Sequence, residues 1–191
     1  MAKIVDFSNI GSSDHIIVKN YSEDLIRKHI TDLIKIDRDA FEKYSPPYDL
    51  WNLDNFLYKV PDKDKLSFLL YDKSTDKVIG YIICSSYADS THLNRIAVSE
   101  DYRGKSLGKI LVNKFLEASK HLGCKRTTLS SLNDPEHDYV IRLYQRMGYR
   151  LLSEKSEIKH FLEKKNKLKD FDLFYPPTSS GKLLVMEKIL L

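Results

Sequence analysis

The chain has 191 residues, 42% of them hydrophobic, which is enough for one ordinary globular core and too many for a disordered chain. Its 31 Lys and Arg against 27 Asp and Glu leave a formal charge of +4, which suits an anionic ligand and falls short of the concentrated basic face that nucleic acid requires. The opening MAKIVDFSNIGSSDH has no apolar signal core, no run reaches the ~20 apolar residues of a membrane span, and Cys84 and Cys124 have neither metal spacing nor a disulfide framework, so a cytoplasmic protein with reduced thiols and no membrane or nucleic-acid partner is expected.

Residues 1–14 read as an N-terminal tail, with Gly11-Ser12-Ser13 as a loop, and residues 15–19 (HIIVK) as a strand. Ser22 is an N-cap with acidic Glu23 and Asp24 behind it, and Leu25, Ile26, Ile30, Leu33, Ile34 and Ile36 follow at helical spacing. Ser45-Pro46-Pro47 breaks the chain, and residues 50–60 form a second short helix ending at Pro61. Residues 66–71 (LSFLLY) and 78–86 (VIGYIICSS) make a hairpin across the turn at 72–77, and residues 92–98 (HLNRIAV) make a third consecutive strand. After the loop SEDYRGKSLGK, residues 106–121 carry Leu107, Ile110, Leu111, Phe115 and Leu116 at a helical period, closed by Gly123. A strand at 126–132, a turn at Asn133-Asp134-Pro135, a helix at 139–147 stopped by Gly148 and a strand at 149–152 come next. Residues 154–170 are highly charged and read as a solvated helix or mobile excursion, and 183–191 as the last strand.

Three strands in succession rule out a simple alternating α/β fold. A single α/β (α+β) domain over residues 1–191 is expected, with a mixed sheet that is antiparallel first and parallel around the loop, and a charged insertion or hairpin at 154–181.

The loop at 99–109 misses two phosphate motifs by one residue each. Gly104-Lys105-Ser106 ends a Walker A pattern, but Ser99 stands where its first glycine belongs, and the acid of LSFLLYD, Asp72, precedes the loop and runs into a hairpin turn. Read as R-x-x-G-x-G from Arg103 to Gly108, the loop has Ser106 in place of the middle glycine. In either reading a strand, a glycine-containing turn and a helix start leave unpaired amides and the positive end of the helix dipole facing an anion, with Arg103, Lys105 and Lys109 at the rim.

With its neighbours the loop decides between the motifs. LNRIAVSEDYRGKSLGKILVNKFLEAS (93–119), followed by VIRLYQRMGY (140–149), resembles the GNAT superfamily of acetyl-CoA-dependent N-acetyltransferases. The resemblance covers roughly residues 15–153 and the last strand. It implies a splayed mixed sheet of about six or seven strands flanked by about four helices. It also implies acetyl-CoA as co-substrate without a metal, and direct attack of an amine on the thioester. The family pattern places the pyrophosphate on the amides of Arg103, Gly104, Lys105, Ser106, Leu107, Gly108 and Lys109, and the pantetheine arm along Ile96, Ala97 and Val98. A small residue such as Ser106 fits if its backbone stays in helical space.

Tyr144 matches the family tyrosine near the CoA sulfur and is assigned as the acid for the departing thiolate. His92 lies where some members carry a catalytic Glu, and its imidazole suits a base. Asn133 or His137 occupies the place of an Asn that orders the pantetheine or substrate. Residues 41–51 (FEKYSPPYDLW) and 174–181 (FYPPTSSG) resemble the aromatic acceptor loops of the protein N-terminal acetyltransferases of the ribosomal-protein-alanine type, with Tyr44, Tyr48 and Tyr175 as peptide contacts. The resemblance thus implies an amine acceptor, a peptide N-terminus first. A small amine such as a polyamine or aminoglycoside, a lysine side chain, or a CoA-binding module without catalysis stay open, as do monomer and homodimer.

Overall fold

The computed structural model describes residues 15–44, 49–133, 138–164 and 183–190. In chain order these form β1 (Ile16–Asn20), α1 (Glu23–Lys28), α2 (Ile30–Phe41), α3 (Leu53–Leu57), α4 (Lys63–Leu66), β2 (Phe68–Asp72), β3 (Lys77–Tyr87) and β4 (Ser90–Val98). They continue with α5 (Leu107–His121), β5 (Arg126–Leu132), α6 (Asp138–Arg146), β6 (Arg150–Leu151), α7 (Lys155–Lys164) and β7 (Leu183–Ile189). The strands bond in the order β1-β2-β3-β4-β5-β7-β6. The sheet is mixed: β4 and β5 are parallel, while β1–β2, β2–β3, β5–β7 and β6–β7 are antiparallel. Among the described residues no helix is long and apolar enough to cross a membrane.

The chain forms two compact units that share β3 and β4, one from residues 1–84 and 95–118 and the other from 85–94 and 119–191. In the first unit, Ser22 caps α1 by accepting the Leu25 N–H at 3.3 Å, as its sequence position predicts. The single helix expected from Leu25 to Ile36 is instead broken at His29, whose backbone leaves helical space. The break turns the His29 ring inward, edge-on to Tyr71 at 5.5 Å. The apolar stripe of both helices, Ile26, Leu33 and Ile36, still meets one core with Phe56, Leu69 and Tyr81.

The second helix expected at 50–60 is only Leu53–Leu57, and a further helical turn, Lys63–Leu66, follows it. Lys63 explains the pair. Its buried ammonium donates to the Phe56 carbonyl and, at 2.9 Å, to the Tyr58 carbonyl, which caps the end of α3. Burial pushes its pKa down to about 8.

The β2–β3 ladder slips after Leu70↔Gly80 to Tyr71↔Val78, leaving Ile79 as a bulge. A Cβ on Gly80 would stand 3.0 Å from Leu70 Cδ1 and 3.1 Å from the Ala97 carbonyl oxygen. Glycine is therefore what lets β3 approach the C-terminal half of β4.

In the second unit, β5 pairs along its whole length with β7, from Arg126↔Ile189 to Leu132↔Leu183. The parallel β4–β5 ladder is shorter. It runs from Ser90↔Arg126 to Leu93↔Leu129, with no further rung among the described residues, although β4 continues to Val98 and β5 to Leu132. Within the charged segment, Lys155–Lys164 is a helix, one of the two forms expected, with one face buried rather than solvated all round. Its Ile158, Phe161 and Leu162 recur on one side and bury against Leu152 and Val185. The expected hairpin at 174–181 lies outside the described residues.

Candidate functional site

The loop at 99–109 belongs to the first unit. β4 ends at Val98, and Glu100–Tyr102 form a 3-10 turn. The Arg103 N–H closes that turn on the Glu100 carbonyl at 3.1 Å. It is therefore spent locally, which narrows the amide set expected from 103–109 to 104–109. The Ile110 N–H makes the first helical bond, to the Ser106 carbonyl at 3.2 Å. The N–H groups of Leu107, Gly108 and Lys109 consequently have no partner within the helix and point from its N-terminal end.

Gly104 at φ +77° and Ser106 at φ +60° both lie in the left-handed region. The condition on which a serine fits here, a backbone in helical space, is not met at Ser106. The turn into α5 needs positive φ at the position where the family motif has glycine. Ser99, by contrast, has φ −51°, so no glycine is demanded there. A Cβ placed on Gly104 or Gly108 would meet no atom within 4 Å, so open space lies in front of both.

Side chains shape the rim. Arg103 Nε donates to the Val98 carbonyl at 3.2 Å, and Lys105 Nζ lies 5.0 Å from the Tyr102 ring centre. The Tyr102 hydroxyl donates to Asp72 Oδ2 at 2.8 Å, while Asp72 Oδ1 accepts from the Ser74 N–H at 2.8 Å and the Ser74 hydroxyl at 2.5 Å. Asp72, the apparent Walker partner, is thus engaged as an anchor. The Ser74 hydroxyl first, and then the hydroxyl of Tyr102, hold its carboxyl down at about 2.

A buried ion pair in the same unit escaped the sequence reading. Arg95 Nε and Nη2 donate to Asp37 Oδ1 and Oδ2 at 2.8 and 2.9 Å. The signal was present: Asp37 interrupts the apolar stripe of α2, and Arg95 interrupts the apolar strand LNRIAV. Each charge occupies a position that periodicity assigns to the core.

His92, Tyr144 and Asn133 fall in the second unit. His92 is 4% exposed, stands in register with Thr128, and places Nδ1 2.8 Å from Thr128 Oγ1. The same Oγ1 lies 2.6 Å from the Tyr87 hydroxyl and donates to the Thr91 carbonyl at 3.3 Å. A hydroxyl has one donor and two acceptor positions, so this set is filled when Tyr87 and His92 donate to it. Burial pushes the Tyr87 phenol up to about 12, in keeping with a donor. In this allocation the His92 proton that faces Thr128 is on Nδ1.

Tyr144 is 5% exposed on α6, edge-on to Tyr149 with ring centres 5.7 Å apart. The Tyr149 hydroxyl accepts from Thr127 Oγ1 at 2.8 Å, which fixes the ring that supports Tyr144. Asn133 follows β5 half-buried, and Tyr44 ends the short turn after α2. Tyr48, His137 and Tyr175 lie outside the described residues. Neither cysteine forms a disulfide; Cys84 is buried and Cys124 half-buried.

Comparison with known proteins agrees with this architecture. The profile of the acetyltransferase (GNAT) family matches residues 30–149. The chain is 26% identical over 112 residues to the N-alpha-acetyltransferase MAK3 of Arabidopsis thaliana, covering 56% of this chain and 55% of that protein. It therefore spans about half the length of this curated relative. The fold is similar to the NatC complex bound to Gag peptide and CoA, at 16% identity and TM-score 0.64, over 93% of this chain and 99% of that one. It is also similar to the ribosomal-protein-S18-alanine N-acetyltransferase of Escherichia coli, at 18% identity and TM-score 0.62, over 92% and 94% of the two chains. The family profile spans residues 41–51, the strand whose ladder with β5 ends at Leu93 and the left-handed turn into α5. By this match over more than half its length, the chain belongs to the acetyltransferase (GNAT) family.

Proposed function

We propose that this protein is an acetyl-CoA-dependent N-acetyltransferase acting on the α-amino group of a protein or peptide N-terminus. The observation that carries the reading is the turn into α5. Two left-handed residues, Gly104 and Ser106, lead into the unpaired helix-start amides of Leu107, Gly108 and Lys109, with open space ahead of Gly104 and Gly108. This fits a pyrophosphate, with exposed Lys105 and Lys109 to neutralise it. Arg103 contributes its guanidinium rather than its amide. Ile96, Ala97 and Val98 lie beyond the last β4–β5 rung, which suits backbone pairing to a pantetheine arm, and Asn133 is assigned to its ordering.

Acetyl-CoA supplies the activated acetyl group and a thiolate leaving group. In this reading His92 accepts a proton from the acceptor ammonium, directly or through water. The freed amine attacks the thioester carbon, the C–N bond forming as the C–S bond breaks. The Tyr144 hydroxyl protonates the departing thiolate, and the proton that the new amide nitrogen sheds restores Tyr144 through water. The 2.8 Å contact of Nδ1 with Thr128 Oγ1 orients the His92 ring, which supports this role. Tyr44, Tyr48 and Tyr175 are assigned to the acceptor peptide. The peptide class is supported by the relatives, whose names describe N-alpha-acetyltransferase, alanine N-acetyltransferase and peptide-bound complexes.

The test is a thermal-shift series with acetyl-CoA, CoA and magnesium-ATP, followed by thiol release with peptides, polyamines and free lysine. A ligand at about 100 times its Kd stabilises by about 2.7 kcal/mol, so CoA and acetyl-CoA should raise Tm clearly. A shift with ATP and none with CoA overturns the reading. Thiol release only with polyamines or lysine transfers it to those acceptors, and CoA binding without any release leaves a binding module.

A further inference from the structure

Asp37 on α2 is fully buried, and Arg95 on β4 is 5% exposed. Of the bonds around their fork-to-carboxylate contact, one leads to β3 and the others to the segment following α2. Asp37 Oδ1 also accepts from the Tyr81 hydroxyl, and Oδ2 accepts from the Trp51 N–H at 2.9 Å. Arg95 Nη2 donates in addition to the Asp49 carbonyl at 3.0 Å. The guanidinium centre lies 3.6 Å from the Phe41 ring centre and 5.3 Å from that of Trp51. Phe41 on one side of the segment, and Asp49 and Trp51 on the other, are therefore tied to a single ion pair.

Stability alone is a poor account of this arrangement. Two charges taken out of water gain little over apolar side chains of the same volume, because desolvation offsets their attraction. The distinctive property of the bidentate fork is direction. It fixes the carboxylate plane, and the plane fixes where the Trp51 amide sits. Tyr81 holds the same carboxylate from β3, so the anchoring point is referred to the sheet rather than to α2 alone.

We infer that Arg95 and Asp37 are positioning residues for the acceptor: they hold Phe41, Asp49 and Trp51 in the register in which this side of the protein receives the substrate N-terminus. The inference rests on the proposed reading of residues 41–51 as acceptor-binding. Trp51 reports on it directly, being the chain's one tryptophan.

The experiment is steady-state kinetics with acetyl-CoA and acceptor peptides on the wild type, Arg95→Lys and Asp37→Asn, with the Kd for acetyl-CoA measured on each. Lysine keeps the charge without the fork, and asparagine keeps the shape without the charge. Misplacing the segment should raise the peptide KM about tenfold or more while kcat at saturating peptide and the Kd for acetyl-CoA hold. A pair that merely stabilises the fold would lower Tm and the active fraction, hence kcat, and leave the peptide KM unmoved; that result in either folded variant overturns the inference. Should neither variant fold, wild-type Trp51 fluorescence decides. A saturable change on peptide addition is expected, and no change overturns the inference. Peptide transfer by the wild type with an unmoved KM in the variants removes the positioning role alone. No peptide transfer by the wild type removes the acceptor reading with it.

Discussion

The Tyr102 hydroxyl donates to Oδ2 of Asp72 at 2.8 Å, mooring the turn before the anion loop to the end of β2. The contact joins residues thirty positions apart and gives a rigid base to a loop that otherwise rests on a short 3-10 turn. Tyr102→Phe should cost about 1.5–3 kcal/mol, the worth of a hydrogen bond to a charged group. The pH dependence follows from Asp72. Its folded pKa of about 2 lies below the ordinary 3.8, so its contribution is fully present above pH 3.8 and is lost as pH falls toward 2. The Tm gap between wild type and Asp72→Asn should therefore close across that window. A gap that persists at its bottom argues against the assignment.

Ser106 holds a left-handed backbone at φ +60° without being glycine. Ser106→Gly should raise stability by about 0.5–1 kcal/mol through relief of that strain, and Ser106→Val should lower it by more than this gain. Thermal unfolding of both variants checks the order. Equal melting temperatures would place the loop in another conformation.

A methyl group on Gly80 would stand 3.0 Å from Leu70 Cδ1 and 3.1 Å from the Ala97 carbonyl oxygen, close enough that both must give way. Gly80→Ala should destabilise by about 1–3 kcal/mol, the usual cost of overpacking, measured by urea unfolding. The Ala97 carbonyl belongs to the proposed pantetheine strand, so acetyl-CoA affinity should fall with it. Affinity that holds while stability drops would separate the two effects.

Tyr144→Phe removes one oxygen and keeps the ring packed on Tyr149. If the hydroxyl is the acid, kcat should fall about 10²–10⁴-fold with the Kd for acetyl-CoA and Tm nearly unchanged. Unaltered turnover would assign Tyr144 to packing.

Phe161 on α7 is buried with Ile158 and Leu162, and its ring centre lies 5.6 Å from that of His92. Phe161→Ala should cost about 3–5 kcal/mol, as for other buried aromatics. Hydrogen exchange should find residues 155–164 protected in the wild type. Rapid exchange there would return the segment to the solvated helix that its charge suggests.

The sequence by itself determined the secondary elements wherever a periodic apolar pattern met a turn residue. The strand at Arg126–Leu132, the helix Leu107–His121 and the Ser22 cap all lie within one residue of expectation. It also determined the family, because a loop motif and the downstream LYQRMGY recur at a set spacing. Tertiary structure decided what local patterns cannot carry. The Asp37–Arg95 pair joins residues 58 apart, and each appears alone as a polar error in an apolar run. The break at His29 and the burial of α7 depend on which face of a helix finds a partner. The left-handed backbone of Ser106 is imposed by where β4 ends and α5 must begin, a geometric demand that overrides the preference of serine itself.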